Sequence, residues 1–430
     1  MGSDPGLTPG RCRSGIEYVR SRPFAVRRLR VTTRLLIATC LVAALGSDRI
    51  VAQQAPATPP PAGRGGRGQP QDTLVSPEVH PDRTVTFRIR APQATTVTLT
   101  GDWLATPASA TGGVMPMTKD ADGVWSVTSV PLEPTVHLYF FTVDGLAIAD
   151  PINPRIKLRV RTSASLVEVP GTPTPAWQVR DVPHGSVDWN VHHSAAYNDT
   201  HEFLVYLPPG YFTSRARYPV LYLVHGAGDT ALGWTTAGAA NLILDNLIAE
   251  KKAVPMIVVM PFNGSNNPAP PAAAAPGAGA PAASPFENYM LKELIPYVDA
   301  KYRVASGRQN RAMAGLSAGG AATYNVGLKH LELFSAFGMF SAAGGGGADF
   351  ATRYPQLAAD PKGTNAKINV FWIGCGTEDP LDKAAKTFDA ELTKLQIKHA
   401  YADREGGHVW PIWRWALSEF APLLFQPSKS

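Results

Sequence analysis

The sequence predicts an α/β protein with a doubly wound, mostly parallel sheet, preceded by a small all-β sandwich. Apolar runs alternate with helix-period segments over residues 186–426, and short strands of alternating polarity fill residues 77–170. Hydrophobic residues make up 44% of the 430 residues and charged residues 17%, so there is ample apolar material for buried cores. We therefore expect two folded domains.

The first 52 residues have the composition of a secretory leader. They hold nine of the 40 basic residues against three of the 34 acidic ones, so the other 31 basic and 31 acidic residues balance. A neutral remainder gives no electrostatic reason to expect nucleic acid or an anionic membrane as a partner. An arginine-rich stretch precedes the apolar segment 35–46, which is too short to span a bilayer, and Val51-Ala52 is a small-residue cleavage site. We expect a secreted or periplasmic protein; an uncleaved N-terminal anchor is the alternative.

Several segments carry linker composition. Residues 53–76 are rich in Pro and Gly and predict a disordered tether, and residues 171–185 predict a second linker. Residues 265–284 are nearly pure Pro, Ala and Gly, which predicts a disordered insertion or, alternatively, a lid over the site. Once the leader is removed Cys375 is the only cysteine, so no intramolecular disulfide is possible.

Residues 77–170 predict the antiparallel β-sandwich. The motifs GDW (101–103), KDADGVW (119–125) and DPINP (150–154) resemble the early-set, carbohydrate-binding-like modules found before glycogen-branching enzymes and several polysaccharide esterases. Trp103 and Trp125 have flat faces that suit sugar rings, but packing inside the sandwich is the favoured interpretation. The predicted strands are 84–90, 95–101, 124–130 and 136–143.

Residues 186–426 alternate strands with helices, which predicts a parallel sheet covered on both faces. The predicted strands are 203–208, 219–226, 255–261, 311–317, 334–342, 369–376 and 399–405. The predicted helices include 241–251, 286–302, 321–330, 382–396 and 412–425.

Gly315-Leu316-Ser317-Ala318-Gly319 lies between a predicted strand and a predicted helix, the context of a nucleophile elbow in α/β-hydrolases. Only small neighbours on each side of the serine let the two backbones approach. The helix start would supply the Ala318 N–H to an oxyanion. The sequence therefore predicts Ser317 as the nucleophile.

A serine hydroxyl needs a base, and His408 is the predicted one. It follows the last predicted strand, in the chain order Ser, acid, His. Asp379 is the predicted acid, in the loop after strand 369–376, and Glu378 in the same loop is the alternative. The His225-Gly226-Ala227 turn predicts a second oxyanion donor at the Ala227 N–H, with His225 as a hydrogen-bonding residue of the turn.

These motifs together resemble the esterase family that includes enterochelin esterases, feruloyl esterases and acetyl xylan esterases of carbohydrate esterase family one. The motifs are YLVHGAGDTALGW (222–234), RAMAGLSAGG (311–320), WIGCGTEDPL (372–381) and GGHVWPIW (406–413). The resemblance implies the same nucleophile, acid, base and oxyanion donors. It also implies a pocket formed by His225, Gly226, Trp234 and Trp410; helix packing is the alternative for the two tryptophans. The insertion 265–284 and the glycine run 344–347 depart from the family pattern.

The predicted function is hydrolysis of acyl esters on plant polysaccharide or oligosaccharide, of the feruloyl or acetyl xylan type, by a secreted serine carboxylesterase. The alternatives are an enterochelin-type siderophore esterase and a carbohydrate-binding protein with an inactive hydrolase domain. We expect no metal or cofactor, because a serine triad supplies its own nucleophile, and no membrane partner for the mature form. The sequence does not indicate the oligomeric state.

Overall fold

The computed structural model describes residues 74–106, 109, 112–159, 163–264, 283–344 and 350–427. The predicted leader 1–52 lies outside these residues, as do most of the tether 53–76, the insertion 265–284 and the glycine run 344–347. What we expect of those segments stays a prediction. In the part of the chain that is described, no helix is long and apolar enough to cross a bilayer.

Residues 78–168, which we call the N-terminal β region, form antiparallel strands and a short 3₁₀ turn at Asp102–Leu104. The strands are β1 (Glu78–Val79), β2 (Val85–Arg90), β3 (Val97–Gly101), β4 (Gly113–Pro116), β5 (Thr118–Lys119), β6 (Val124–Thr128), β7 (Val136–Val143), β8 (Leu146–Ile148), β9 (Ile156–Lys157) and β10 (Ala164–Glu168). They pair into one sheet of order β1-β2-β6-β5 and a second of order β4-β3-β7-β10-β9, with β8 beside β7. All four predicted strands are present, and the shorter ones around them were not predicted.

The two sheets of this region share one buried cluster. Phe87 of the first sheet lies in it with Leu99, Tyr139 and Val167 of the second. Such contacts arise because alternate residues of a half-buried strand point to the same face. The apolar alternation that predicted these strands therefore identifies the faces that meet.

Trp125 packs inside this region, and the half-buried Trp103 packs against its core. Trp125 is buried and its Nε1 donates to the main-chain oxygen of Ala91 at 3.0 Å. The Trp103 ring stacks on Phe87, with centroids 5.4 Å apart and planes 12° from parallel. These contacts fit the packing interpretation and leave no flat face of Trp125 for a sugar.

Residues 186–404 contain the strands of a third sheet, which we call the main sheet. Its strands are β11 (Ser186–Ser194), β12 (Asp199–Leu207), β13 (Val220–Val224), β14 (Ile257–Pro261), β15 (Arg311–Leu316), β16 (Ala336–Phe340), β17 (Val370–Gly376) and β18 (Ala400–Arg404). Their order is β11-β12-β14-β13-β15-β16-β17-β18. Strands β13 to β18 run parallel to one another, and β11 and β12 add an antiparallel edge next to β14. The seven predicted strands are present. Strand β11, whose exposed residues alternate with half-buried or buried ones, was not predicted.

The helices lie on both faces of this sheet. They are α1 (Gly233–Thr236), α2 (Ala240–Ala249), α3 (Pro285–Tyr289), α4 (Ile295–Lys301), α5 (Ala318–Ala322), α6 (Phe350–Arg353), α7 (Pro355–Ala359), α8 (Pro361–Lys367), α9 (Asp382–Lys394) and α10 (Trp410–Phe420). π-helical turns at Met290–Leu294 and Thr323–Gly327 continue α3 and α5, and 3₁₀ turns lie at Arg308–Asn310, Leu328–His330 and Ala421–Leu423. Helices α6 to α8 were not predicted, because none is long enough to show a helical period.

Two apolar clusters cover the two faces. On β13, Val220, Tyr222 and Val224 belong to one cluster, and Leu221 and Leu223 belong to the other. A strand buried on both faces must be apolar at every position, which explains the continuous apolar runs of the sequence.

The N-terminal β region packs on the face of the main sheet that α10 covers. Val136 of β7 shares a buried cluster with Trp410 of α10. Arg414 of α10 is fully buried, and its guanidinium donates to Thr135 Oγ1 at 2.8 Å and to the main-chain oxygens of Val136 and Ala237. Burial lowers the pKa of Arg414 to about 10. Since a buried cation needs all of its acceptors, this contact fixes the β region against α10.

Candidate active site

Ser317 occupies a strained turn at the carboxyl end of β15. Its backbone has φ 51° and ψ −116°, between the strand and α5. A non-glycine residue with positive φ costs conformational energy, and such strain clusters at functional sites. The Ser317 N–H donates to the Phe340 oxygen at 2.8 Å, and the Ser317 oxygen accepts from Ala321 N–H at 3.0 Å. These bonds hold the serine in a conformation that it would not adopt alone.

The glycines that flank this turn are required by close backbone contacts. A Cβ on Gly319 would lie 2.3 Å from the Val224 oxygen, and one on Gly315 would lie 2.5 Å from the main-chain carbon of Gly319. Real Cβ atoms do not approach backbone so closely. The small residues therefore let α5 start directly against β13 and β15, as expected from the sequence.

His408 and Asp379 come together from the loops that follow β18 and β17. His408 Nδ1 lies 2.8 Å from Asp379 Oδ2. The Asp379 side chain is fully buried, and that of His408 is 18% exposed. Asp379 Oδ1 accepts from Leu381 N–H at 2.8 Å. Glu378, the alternative acid, is exposed, and its N–H donates to the Gly406 oxygen at 3.0 Å. Of the two carboxylates, Asp379 is the one in contact with His408.

The environment of Asp379 favours its charged form. Burial by itself raises the pKa of the carboxyl, but the hydrogen bond and charge of His408 and the Leu381 N–H lower it, and the net pKa lies below the ordinary value. The carboxylate is therefore charged at neutral pH and can orient the imidazole.

Ser317 and His408 line the same cavity, whose volume is about 240 Å³. Its walls come from both parts of the fold. The main-sheet domain contributes Gly226, Ala227, Asp229, Leu316, Val409, Trp410 and Trp413. The N-terminal β region contributes Thr100, Asp102, Leu138, Phe140, Lys157, Arg159 and Ala164.

The predicted oxyanion donors lie around the serine. Ala227 lines this cavity and also a neighbouring cleft of about 820 Å³, which Ala318 lines as well. Gly226 is tightly packed, since a Cβ there would lie 2.6 Å from Leu316 Cδ1. The two alanines are thus close to Ser317; their role as donors stays a prediction.

A family profile described as "Putative esterase" matches residues 194–424. The chain belongs to this esterase family. An "Endo-1,4-beta-xylanase/feruloyl esterase" of Xylanibacter ruminicola is 32% identical over 357 residues, which are 81% of this chain and 46% of that protein. An "Endo-1,4-beta-xylanase Y" of Acetivibrio thermocellus is 30% identical over 33% of this chain and 13% of that protein. The chain thus spans less than half the length of these relatives.

Solved structures are similar in fold. The enterochelin esterase of Shigella flexneri matches with a TM-score of 0.57 and 18% identity, over 82% of this chain and 95% of that protein. This chain therefore shares an α/β-hydrolase-like fold with the esterase family.

Two residues predicted for the pocket of this chain lie behind the cavity. His225 is buried and does not line the cavity; its Nδ1 donates to the Gly226 oxygen at 2.8 Å, and its Nε2 accepts from Asn263 N–H at 3.2 Å. Burial lowers the pKa of His225, which favours this neutral form. The pocket prediction for His225 is wrong because both ring nitrogens hold the turn, in agreement with its predicted hydrogen-bonding role.

Trp410 lines the cavity and Trp234 does not. The Trp234 side chain is fully buried, with its ring 5.3 Å from that of Trp410 and 6.1 Å from that of Phe340. The prediction that Trp234 lines the pocket is therefore wrong, and helix packing is its role. A tryptophan near a motif carries no signal of which side of a helix it occupies.

The wall formed by the N-terminal β region was not predicted from the sequence. Lys157 Nζ lies 2.6 Å from Asp229 Oδ1, and both side chains are buried. Asp229 directly follows the HGAG turn, which is a signal that could have drawn attention to it. Nothing in the alternating segment around Lys157 indicates a cavity. Among the described residues, no group of three or more His, Cys, Asp or Glu side chains could hold a metal ion.

Proposed function

We propose that this chain is a serine carboxylesterase that acts on acyl esters of plant polysaccharide, of the feruloyl or acetyl xylan type. One observation carries the proposal: the strained Ser317 and the Asp379-bound His408 line one cavity. Membership of the esterase family supports ester hydrolysis. The relative from Xylanibacter ruminicola, whose name includes both xylanase and feruloyl esterase, supports the substrate class.

The geometry suits acyl transfer through a covalent intermediate. Because His408 uses Nδ1 to bind Asp379, its Nε2 is available to take the proton of Ser317 Oγ. The oxygen attacks the ester carbonyl carbon, and the N–H groups of Ala227 and Ala318 stabilise the resulting oxyanion. His408 then passes the proton to the leaving alcohol, which leaves the acyl group on Ser317. In the second half of the reaction His408 takes a proton from water, the water oxygen attacks the acyl carbon, and Ser317 Oγ leaves with that proton as the acid is released.

The cavity lining favours an aromatic acyl group over a small one. Phe140, Trp410 and Trp413 line it together with Leu138. Aromatic side chains pack with planar rings in stacked or edge-to-face contacts. A feruloyl ring therefore has partners here that an acetyl group lacks.

The same proposal covers the organisation and destination of the chain. We assign the N-terminal β region to an early-set sandwich module of residues 77–170, joined by linker 171–185 to the esterase domain 186–426. The leader 1–52 would export the chain, and export suits the proposed substrate because polymeric xylan lies outside the cell. N-terminal sequencing of the protein from periplasm and medium is expected to begin at Gln53, and a protein that keeps residues 1–52 in the membrane fraction would contradict cleavage and release.

Hydrolysis of methyl ferulate and p-nitrophenyl acetate tests the chemistry. The parent is expected to turn over both esters with preference for the ferulate, and Ser317→Ala is expected to lower kcat by about 10⁶-fold. Ser418→Ala is the matched control, because Ser418 lies on α10 and its hydroxyl donates to the Arg414 oxygen. Turnover that Ser317→Ala leaves unchanged would overturn the proposal.

The two alternatives give different results. A siderophore esterase would hydrolyse the enterochelin ester and neither of the simple esters. An inactive carbohydrate-binding protein would be retained on xylan without turnover of any ester. The fold likeness to enterochelin esterase concerns architecture alone, so it does not favour the first alternative.

A further inference from the structure

Lys157 is a buried cation that the N-terminal β region places at the active-site cavity. It ends β9, and its side chain is 1% exposed. Its Nζ lies 2.6 Å from Asp229 Oδ1. Removing an ammonium group from water is costly unless a carboxylate compensates for it. The pair lies where the β region and the main-sheet domain meet, and each charge compensates for the burial of the other.

Asp229 belongs to the turn that carries the proposed oxyanion donor. The turn follows β13, and Ala227 lies two residues before Asp229. Asp229 N–H donates to the Gly226 oxygen at 3.4 Å, and Asp229 Oδ1 accepts from Thr230 N–H at 2.8 Å. The residue whose carboxylate holds Lys157 thus also closes the turn, through its main-chain N–H.

Lys157 also contacts the segment that follows the proposed base. Its Nζ lies 5.4 Å from the ring centroid of Trp410, two residues after His408. A cation at this distance is attracted by the electron-rich face of an indole. One lysine therefore touches both the turn of Ala227 and the start of α10.

We propose that Lys157 is a positioning residue for catalysis: by binding Asp229 and Trp410 together, it sets the Ala227 turn relative to His408. The N-terminal β region then completes the active site. This inference rests on the proposed esterase function. Burial lowers the pKa of Lys157 while Asp229 opposes that change, which is consistent with a side chain whose partner is essential.

The expected effect is on the rate of the chemical step. Displacement of an oxyanion donor by a fraction of an ångström weakens its hydrogen bond to the transition state more than it weakens the binding of the substrate. Lys157→Met is therefore expected to lower kcat for methyl ferulate by about 10- to 100-fold and to change KM by less than about threefold.

A second variant separates positioning from stability. Lys157→Met alone leaves the Asp229 carboxylate buried and unpaired, so the double variant Lys157→Met/Asp229→Asn removes both charges. We expect its unfolding midpoint to return toward that of the parent while kcat stays low. Arg155→Met is the matched control, because Arg155 lies two residues before Lys157 but pairs with Glu168 at 2.9 Å and does not line the cavity. It is expected to keep kcat within about twofold.

Recovery of kcat in step with stability in the double variant would overturn the inference and leave the pair a purely structural one. If neither Lys157→Met nor the double variant folds, as judged by circular dichroism, Lys157→Arg tests the same point. It keeps the charge but moves the contact, so an unchanged kcat would contradict positioning. Failure of the proposed function is distinguishable, because the parent itself would then show no Ser317-dependent turnover.

Discussion

His408 Nδ1 lies 2.8 Å from Asp379 Oδ2, and Asp379 is the buried one of two neighbouring carboxylates. An asparagine in its place would present an amide that favours the wrong imidazole tautomer. We therefore expect Asp379→Asn to lower kcat by about 10⁴-fold with methyl ferulate, at little change in structure.

Glu378 is the control for this variant. It is exposed and follows the same strand, so Glu378→Gln is expected to keep kcat within about twofold, as for most exposed substitutions. Equal losses in the two variants, measured under the same conditions, would contradict the assignment of the acid.

The low pKa of Asp379 predicts a pH dependence of stability. The folded-state pKa lies below the unfolded value of about 3.9, because the bonds from His408 and Leu381 N–H outweigh burial. The stabilisation is therefore fully present above the unfolded pKa and is lost as the pH falls through the folded pKa. The difference in unfolding free energy between the parent and Asp379→Asn should shrink from about pH 6 to about pH 3 in urea titrations. A difference that stays constant or grows would count against this prediction.

Gly319 allows α5 to start against β13, and a methyl group there has no room. Because its Cβ would lie 2.3 Å from the Val224 oxygen, Gly319→Ala is expected to lower the free energy of unfolding by about 1–3 kcal/mol and to lower kcat by shifting Ser317. Gly145→Ala is the control: its φ is +89° but no atom lies within 4 Å, so a loss of about 1 kcal/mol and no loss of kcat are expected. Unchanged activity in Gly319→Ala would show that the turn can relax.

Arg414 should hold the N-terminal β region far more strongly than Arg404 does. Arg414→Met leaves buried acceptors of Thr135, Val136 and Ala237 without their donor, and we expect a loss of about 3 kcal/mol in the free energy of unfolding. Arg404 pairs with Glu133 at the surface, so Arg404→Met is expected to cost less than about 1 kcal/mol. Urea unfolding of both variants measures the difference, and similar losses would contradict it.

The main sheet was predictable from local pattern. Residues such as Val220 to Val224 are apolar at every position because both faces of the strand are covered, and this leaves a run that is visible in the sequence. Short elements carry too few residues for a period, which is why α6 to α8 and β9 were not predicted.

The candidate residues of the site were also predictable from local motifs. A serine between glycines, an aspartate after a strand and a histidine after the last strand follow one another in a fixed order, and each needs only its own turn. The choice of Asp379 over Glu378 required the structure, since burial and direction of a loop side chain depend on what packs against it.

The sequence by itself determined the fold class, the family motifs and the candidate residues Ser317 and His408, with Asp379 or Glu378 as the acid, because strand periodicity and tight turns are local properties of the chain. Only the tertiary structure decided that Trp234 lies behind the cavity and that Lys157, 72 residues before Asp229, forms part of its wall. Contacts between distant segments depend on how two packed layers meet, and no local pattern records that meeting.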